Sequence, residues 1–160
     1  MIKILFVCHG NICRSPMAMF LLRDMAKKRG LSDRFCIDSA ATSTEELGNP
    51  LYEPARRELT RHGVPCEGHV VRVLQSADYA RYDLLIGAES ANIRNMLRIC
   101  GGDPDGKIHR LLDFTDTPGD IADPWYTDDF ETAYRQIEAG CKALLKLEAD
   151  SGQCTVDNVQ

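Results

Sequence analysis

The first thirty residues contain a hydrophobic run, a short loop and a helical pattern, and this order constrains the fold more than any other feature. Residues 2–7 are rich in β-branched side chains, which is typical of a strand buried on both faces. Pro16 suits the first turn of a helix, Ser15 is the predicted N-cap, and Gly30 ends the helix. The intervening loop therefore joins the carboxyl end of a buried strand to the N-terminus of a helix.

The same alternation of strands and helices continues along the chain. The other predicted strands are residues 35–37, 83–87 and 108–112, with a weaker hydrophobic stretch at 70–74. The predicted helices are residues 54–62, a short one before Tyr82, 90–99 and 130–147. This pattern predicts an α/β fold, a single doubly wound domain with a central, mainly four-stranded parallel sheet flanked by helices. We expect the domain to span residues 1–150 and the polar tail, residues 151–160, to be frayed.

Charge and composition exclude several classes of protein. The net charge is −5 and no basic stripe dominates, so we expect no nucleic-acid partner. No hydrophobic run approaches the roughly 20 residues that span a bilayer, and the N-terminal run is too short for a signal peptide. The seven cysteines are scattered and odd in number, which favours free thiols in a reducing compartment. We expect a cytoplasmic monomer with no membrane anchor, no metal ion and no organic cofactor.

The loop after the first strand combines an anion site with a nucleophile. A helix N-terminus offers unpaired N–H groups, and Gly10 and Asn11 tolerate the left-handed backbone angles that curl such groups around an anion. Arg14 can hold two oxygens of one phosphate group. The same positive dipoles favour the thiolate form of Cys8, which begins the loop. The hydroxyl of Ser15 can donate a hydrogen bond to that thiolate.

These residues predict an in-line attack of the Cys8 thiolate on phosphorus, which forms a cysteinyl-phosphate that water then hydrolyses. The loop lacks the pattern G-x-x-x-x-G-K-[ST], so ATP is not implied. A zinc site at Cys8, His9 and Cys13 is disfavoured because no second pair of ligands follows at a regular spacing.

The acidic loop of residues 113–129 offers a general acid for this reaction. One carboxyl group can protonate a departing phenolate and later take a proton from the attacking water. Asp123 stands out because Pro124 stiffens the backbone beside it, and the next residues, Trp125 and Tyr126, can form walls for an aryl phosphate. The residues alone leave the choice open among Asp123 and the other acids of the loop, which are Asp113, Asp116, Asp120, Asp128 and Asp129.

Residues 7–18, VCHGNICRSPMA, resemble the phosphate-binding loop of the low-molecular-weight protein tyrosine phosphatases. The resemblance continues at residues 37–39, 68–69, 90–94 and 123–126, and it extends to about Leu147. It implies the small doubly wound fold of that family, and activity on protein phosphotyrosine and small aryl phosphates. It also implies that Cys8 is the nucleophile, that Arg14 binds phosphate and stabilises the transition state, and that Asp123 is the general acid and base.

The resemblance assigns roles to further residues around the site. The phosphate-binding loop is completed by His9, Gly10, Asn11, Ile12, Cys13 and Ser15. The polar network that holds this loop in shape is matched by Asn11, Ser15, Ser39 and His69. We also expect Trp125, Tyr126 and Glu45 to form walls of the substrate pocket. Cys13 matches the second loop cysteine of the family, which can form a reversible disulfide with the nucleophile.

Two departures from the family pattern affect the choice of substrate. His9 follows the nucleophile, where the family often has an apolar or small residue. The variable loop that often supplies an aromatic wall contains Glu45 and Glu46 instead. This side of the cleft is therefore acidic, which disfavours acidic phosphopeptides as substrates.

Three alternative functions share some of these features. Protein-arginine phosphatases look similar but carry Thr where this chain has Ile12, and the bulkier Ile favours phosphotyrosine. Thiol-dependent arsenate reductases need further cysteines on a helix near residues 80–90, a stretch that has none here. A non-catalytic phosphoprotein-binding module is disfavoured because Cys8, Arg14 and Asp123 are all present.

Overall fold

A four-stranded parallel sheet in the order β2-β1-β3-β4 forms the centre of the protein. The computed structural model describes the backbone of residues 1–157 and the side chains of residues 1–150. The strands are β1 (Ile2–Cys8), β2 (Phe35–Ala41), β3 (Leu84–Gly87) and β4 (Ile108–Arg110). The helices are α1 (Arg14–Lys28), α2 (Glu53–Arg61), α3 (Asp78–Arg81), α4 (Ser90–Cys100), α5 (Pro124–Thr127) and α6 (Phe130–Asp157). The predicted fold class is confirmed.

The central strand β1 is buried on both faces because helices cover both sides of the sheet. Ile4 and Phe6 pack in the larger hydrophobic cluster, which contains residues of α1 and α6. Leu5 and Val7 point to the opposite face and pack with Met96 of α4 in a second cluster. This alternation explains why the strand is a continuous hydrophobic run rather than an alternating one.

The strand order places a crevice at the carboxyl end of β1. After β1 the chain crosses to β2 on one side, and it then returns to form β3 on the other side. Ligands of open α/β sheets bind where the strand order reverses in this way, outside the carboxyl ends of the strands. The loop between β1 and α1 and the turn between β3 and α4 both begin at this edge.

Several predicted boundaries differ from the observed ones because tertiary contacts override local patterns. β2 continues to Ala41, since residues 39–41 pair in register with residues 6–8 of β1. The predicted last strand ends at Arg110 and is followed by a 3-10 helix, Leu111–Phe114. The hydrophobic stretch at 70–74 contributes a single bridge to the sheet rather than a strand.

The start of α1 and the end of α6 also differ from the predicted boundaries. Ser15 is not the N-cap of α1, because the helix begins at Arg14 and Cys13 precedes it. α6 continues past its predicted end at residue 147. The side chains of the predicted frayed tail, residues 151–160, lie outside the part of the chain that is described, so that boundary stays a prediction. Among the described residues, no helix has the length and apolarity needed to cross a membrane.

The contact between Gly140 of α6 and Leu111 provides a test of the packing. A Cβ added at Gly140 would lie only 2.8 Å from Cδ1 of the buried Leu111. We expect Gly140→Ala to lower the free energy of unfolding by about 1–3 kcal/mol in denaturant titrations, because the core is overpacked. Helix propensity alone predicts a gain of about 1 kcal/mol, so a stabilised variant would contradict this packing. In a Leu111→Ala background the penalty should disappear.

Candidate active site

The loop between β1 and α1 surrounds the sulfur of Cys8 with hydrogen-bond donors. Cys8 is the last residue of β1 and is buried. Its Sγ accepts a hydrogen bond from the backbone N–H of Asn11 at 3.3 Å and lies 3.0 Å from Oγ of Ser15. Asn11 has φ of 58°, the left-handed conformation expected for it, and this conformation turns its N–H towards the sulfur.

The side chains of Asn11 and Ser15 orient the donors around Cys8. Nδ2 of Asn11 donates to Oγ of Ser15 at 2.8 Å. Because Ser15 accepts this bond, its own hydroxyl proton is available to Cys8 Sγ at 3.0 Å. The Ser15 hydroxyl is therefore engaged with Asn11 and Cys8 rather than with the backbone at the start of α1. These two hydrogen bonds satisfy the hydroxyl, which is buried with the loop.

His69 holds the loop from outside through the backbone of Asn11. Nε2 of His69 donates to the carbonyl oxygen of Asn11 at 2.7 Å, and its ring packs edge-on against Phe20 at 6.2 Å. Burial lowers the pKa of His69, although the Asn11 carbonyl and Asp38 oppose this effect. The neutral ring with its proton on Nε2 therefore supports the left-handed turn at Asn11.

Gly10, predicted to adopt a left-handed conformation in the loop, and Ser39, predicted to belong to the polar network around it, both differ from these expectations. Gly10 does not adopt a left-handed conformation, so Asn11 alone supplies it in this loop. A Cβ at Gly10 would lie in ordinary contact with Glu46 and Ile12, at 3.5 Å and 3.6 Å. The hydroxyl of Ser39 is buried on β2 and donates to Sδ of Met19 at 3.4 Å, rather than to the loop.

The guanidinium of Arg14 is almost completely buried and contacts three groups from two segments of the chain, the turn after β3 and the acidic loop. Nη1 donates to the carbonyl oxygen of Ile121 at 2.9 Å and lies 3.2 Å from Oε2 of Glu89, while Nη2 lies 3.2 Å from Oδ2 of Asp123. Burial works to lower the pKa of Arg14, but the charges of Cys8, Asp123 and Glu89 outweigh it and raise the pKa. The fork of Arg14 is thus fixed beside the Cys8 sulfur.

Asp123 is the acid of the 113–129 loop that lines the same cleft as Cys8. It precedes α5, where Oδ1 accepts the backbone N–H of Trp125 at 3.0 Å and Oδ2 contacts Arg14. Other acids of the loop are engaged elsewhere: Asp113 and Asp120 pair with Arg110, and Asp129 caps α6 through Thr132.

The cleft above Cys8 has a volume of about 120 Å³. The residues that line it are Cys8, His9, Gly10, Asn11, Ile12, Cys13, Arg14, Glu45, Glu46, Asp123, Trp125 and Tyr126. At its mouth, Nε2 of His9 lies 3.0 Å from Oε2 of Glu45. The exposed ring of Trp125 rests on Tyr52, with the ring centroids 4.9 Å apart. The predicted wall residues Trp125, Tyr126 and Glu45 therefore all border the cleft.

Sequence reasoning missed Glu89 and Tyr52. Glu89 occupies the turn after β3, and the strand order brings that turn beside the β1 loop. The sequence does place the carboxylate of Glu89 just after a predicted strand. Only the strand order shows that this strand is next to β1 and that Glu89 therefore lies near Arg14. Tyr52 lies just before α2 and supports Trp125 from a distant segment, so no local pattern indicates it.

The thiols around the loop are free in the structure. Cys8 and Cys13 are both buried and neither is in a disulfide. Burial raises the pKa of Cys13, and the charge of Cys8 raises it further. Within the described side chains, no group of three or more His, Cys, Asp or Glu residues is arranged to hold a metal ion.

This fold and this site define an α/β protein in which the loop after the first strand presents a cysteine and an arginine at the carboxyl end of that strand. The family model for low molecular weight phosphotyrosine protein phosphatases matches residues 3–153. The chain therefore belongs to this family, and it is a hydrolase of the protein-tyrosine-phosphatase type.

Individual relatives agree with this family. The chain is 38% identical over 147 residues to the low molecular weight protein-tyrosine-phosphatase YfkJ of Bacillus subtilis, covering 91% of this chain and 94% of the relative. The crystal structure of YfkJ superposes with a TM-score of 0.91 at 37% identity, covering 94% and 96% of the two chains. An arginine phosphatase from Drosophila, DARP, superposes with a TM-score of 0.83 at 27% identity, covering 92% and 98%.

The lowered pKa of His69 predicts a specific pH dependence of stability. Below the ordinary pKa of 6.5, the unfolded chain binds a proton at this position that the folded protein does not bind until its lower pKa is reached. The contribution of His69 is therefore fully present above pH 6.5 and is lost as the pH falls through this window. His69→Gln keeps an N–H donor but does not titrate, so its free energy of unfolding should fall less on acidification. If the free energy of unfolding fell equally with pH in the wild type and in His69→Gln, the lowered pKa of His69 would be contradicted.

Proposed function

We propose that the protein hydrolyses phosphotyrosine in proteins, and small aryl phosphates, through a cysteinyl-phosphate intermediate. The observation that carries this proposal is that Cys8, Arg14 and Asp123 line one small cleft, in which Arg14 Nη2 lies 3.2 Å from Oδ2 of Asp123 and the Cys8 sulfur accepts a loop N–H. Loop N–H groups and Arg14 supply the positive field that a phosphate dianion needs. The family to which the chain belongs supports the same chemistry.

In the first step, the Cys8 thiolate attacks phosphorus in line with the leaving oxygen. The S–P bond forms as the P–O bond to the tyrosine ring breaks, and the proton of the Asp123 carboxyl group passes to the phenolate oxygen. Arg14 donates to two equatorial oxygens of the transferring group and stabilises their charge. The phosphate replaces Asp123 as the partner of Nη2, which frees the carboxyl group for the leaving oxygen.

In the second step, water attacks phosphorus from the side that the phenol has left. The proton of the water passes to the Asp123 carboxylate, the S–P bond breaks, and its electron pair returns to Cys8 as the thiolate. The hydroxyl of Ser15, 3.0 Å from Sγ, stabilises the departing thiolate. Phosphate is released and Asp123 is again protonated for the next cycle.

The walls of the cleft favour an aromatic phosphate over a short aliphatic one. Trp125 and Tyr126 rise beside the loop, and both side chains are exposed at the cleft mouth, where a substrate ring can pack against them. Ile12 also lines the cleft, with only 9% of its surface exposed. A phosphotyrosine ring would place its phosphate at Cys8 and its peptide backbone at the rim.

The rim carries a charge that selects among phosphotyrosine peptides. Glu45 and Glu46 both border the cleft, and Glu45 has 70% of its side chain exposed. His9 partly offsets Glu45, with which it pairs at 3.0 Å. We infer that peptides with basic residues next to the phosphotyrosine bind better than acidic ones, and that acidic peptides are repelled by this rim.

We further propose that Cys13 is the redox partner of Cys8. Peroxide would convert the Cys8 thiolate to a sulfenic acid; attack by the Cys13 sulfur would then form the S–S bond and release water. Burial raises the pKa of Cys13, so its thiol proton leaves as the S–S bond forms and departs with the hydroxyl group of the sulfenic acid as water. A cellular thiol would reduce the disulfide, which fits the cytoplasmic location that we propose from the cysteine content. The monomeric state stays a prediction.

Phosphoarginine is the second candidate substrate, supported by the similarity in fold to the Drosophila arginine phosphatase. Ile12 argues against it, because this residue narrows the cleft where arginine phosphatases carry Thr. The arsenate reductase alternative lacks support because residues 80–90 contain no cysteine.

The proposed function is tested by phosphate release under reductant from three substrates, for the wild type and Cys8→Ser. The substrates are a phosphotyrosine peptide flanked by lysines, the same peptide flanked by glutamates, and phosphoarginine. We expect turnover of phosphotyrosine that is lost in Cys8→Ser, and a kcat/KM about fivefold higher for the lysine peptide at low salt. Glu45→Gln should reduce this preference, whereas Glu131→Gln, an exposed change on α6, should not.

The other outcomes are equally informative. A preference for phosphoarginine would establish the second candidate and show that Ile12 does not set specificity. Turnover that persists in Cys8→Ser would contradict the assignment of Cys8 as the nucleophile. No turnover of any substrate by the wild type would favour a phosphoprotein-binding module.

A further inference from the structure

A cluster of polar side chains outside the cleft ties the acidic loop to the start of α4. Arg110, at the end of β4, donates from Nη1 to Oδ1 of Asp120 at 2.9 Å and to Oγ of Ser90 at 2.9 Å. The same Oδ1 accepts the backbone N–H of Ser90 at 2.8 Å and its hydroxyl at 3.0 Å. We call Ser90, Arg110 and Asp120 the Arg110 cluster.

Asp120, one member of the Arg110 cluster, lies three residues before Asp123 along the chain. Between them, the buried Ile121 donates its N–H to the carbonyl oxygen of Ala88 at 2.9 Å and offers its own carbonyl to Arg14 at 2.9 Å. Asp120 and Ile121 thus form consecutive anchors on the turn that follows β3. The segment before them, residues 115–119, is largely exposed, so it offers little to fix the loop from that side.

The neighbours of Asp120 favour the ionised form of its carboxyl group. Burial works to raise the pKa of Asp120, but the donors of Ser90 and the guanidinium of Arg110 outweigh it and lower the pKa. The carboxylate is therefore available as an acceptor across the neutral range, and each charge-assisted hydrogen bond that it accepts is stronger than a neutral one.

We propose that the Arg110 cluster is a positioning device for the general acid, in which Asp120 holds the acidic loop so that the Asp123 carboxyl group meets the leaving oxygen. A general acid acts only within hydrogen-bond reach of that oxygen, and displacements of about 1 Å can cost large factors in rate. Asp120 does not border the cleft and touches no substrate; it acts through the backbone that leads to Asp123.

This inference rests on the proposed function. Two substrates whose leaving groups differ in their need for a proton allow the inference and the proposed function to be tested separately. Phenyl phosphate needs a proton at departure, whereas dinitrophenyl phosphate yields a stable phenolate without one. A device that positions Asp123 therefore matters for phenyl phosphate and not for dinitrophenyl phosphate. A residue that only supports the fold or the phosphate-binding loop affects both substrates equally. The value of kcat/KM reports this first step.

The experiment compares kcat/KM on both substrates for the wild type, Asp120→Ala, Asp120→Asn, Asp113→Ala and Asp123→Asn. Asp113 is the matched control: it pairs with the same Arg110 at 2.8 Å and is similarly exposed, at 43% against 49%, but it does not bond Ser90 in the contacts described. We expect Asp120→Ala to lose about tenfold on phenyl phosphate and less than about twofold on dinitrophenyl phosphate. Asp120→Asn keeps an acceptor for Ser90 and should lose less. Asp113→Ala should change neither value selectively.

Each remaining outcome overturns one specific statement. Equal losses on both substrates for Asp120→Ala and Asp120→Asn, no loss, or the same selective loss in Asp113→Ala would overturn the positioning role. A steep selective loss in Asp123→Asn beside an unaffected Asp120→Ala would leave the general acid intact and remove only the Arg110 cluster from the mechanism. Asp123→Asn without any selective loss would contradict the proposed function itself.

Discussion

The buried guanidinium of Arg14 is the interaction on which the rest of the site depends. A charged group with 2% of its side chain exposed is stable only if its donors are satisfied, and the fold provides a carbonyl oxygen and two carboxylates for this purpose. Those partners come from the turn after β3 and from the acidic loop, so Arg14 joins both segments to the loop between β1 and α1. Removing either carboxylate would leave a buried charge with fewer partners, and the cleft geometry would loosen.

The sheet topology brings these distant segments together. The strand order reverses at β1, so the loop after β1 and the turn after β3 share one edge of the sheet, and the loop that follows β4 returns to the same edge. Hydrogen bonds from Ile121 and from the Arg110 cluster then fix that returning loop on the turn. Cys8, Arg14 and Asp123 are thus brought to one cleft by the carboxyl ends of adjacent parallel strands and the loops that follow them.

The features that were predictable from sequence are those encoded locally. The hydrophobic run of β1 and its exit into α1 indicated the sheet and the loop, and the family resemblance is confirmed by the match over residues 3–153. The features that local patterns did not indicate depend on contacts between distant segments. The extension of β2 requires pairing with β1, the Ser39 hydroxyl turns to Met19, and the Glu89 contact with Arg14 requires the strand order. Glycine favours a left-handed conformation at position 10, but in the structure Asn11 adopts that conformation and Gly10 does not.

The affinity of orthophosphate for the wild type and Arg14→Lys tests the central role of Arg14 most directly. Trp125 is the single tryptophan of the chain and borders the cleft, so a fluorescence titration can follow binding. Lysine keeps the positive charge but cannot hold two phosphate oxygens in a planar fork. The account predicts binding weaker by about 10- to 100-fold, the loss of one or two charge-assisted hydrogen bonds. An unchanged affinity would show that charge alone suffices, and it would contradict the account.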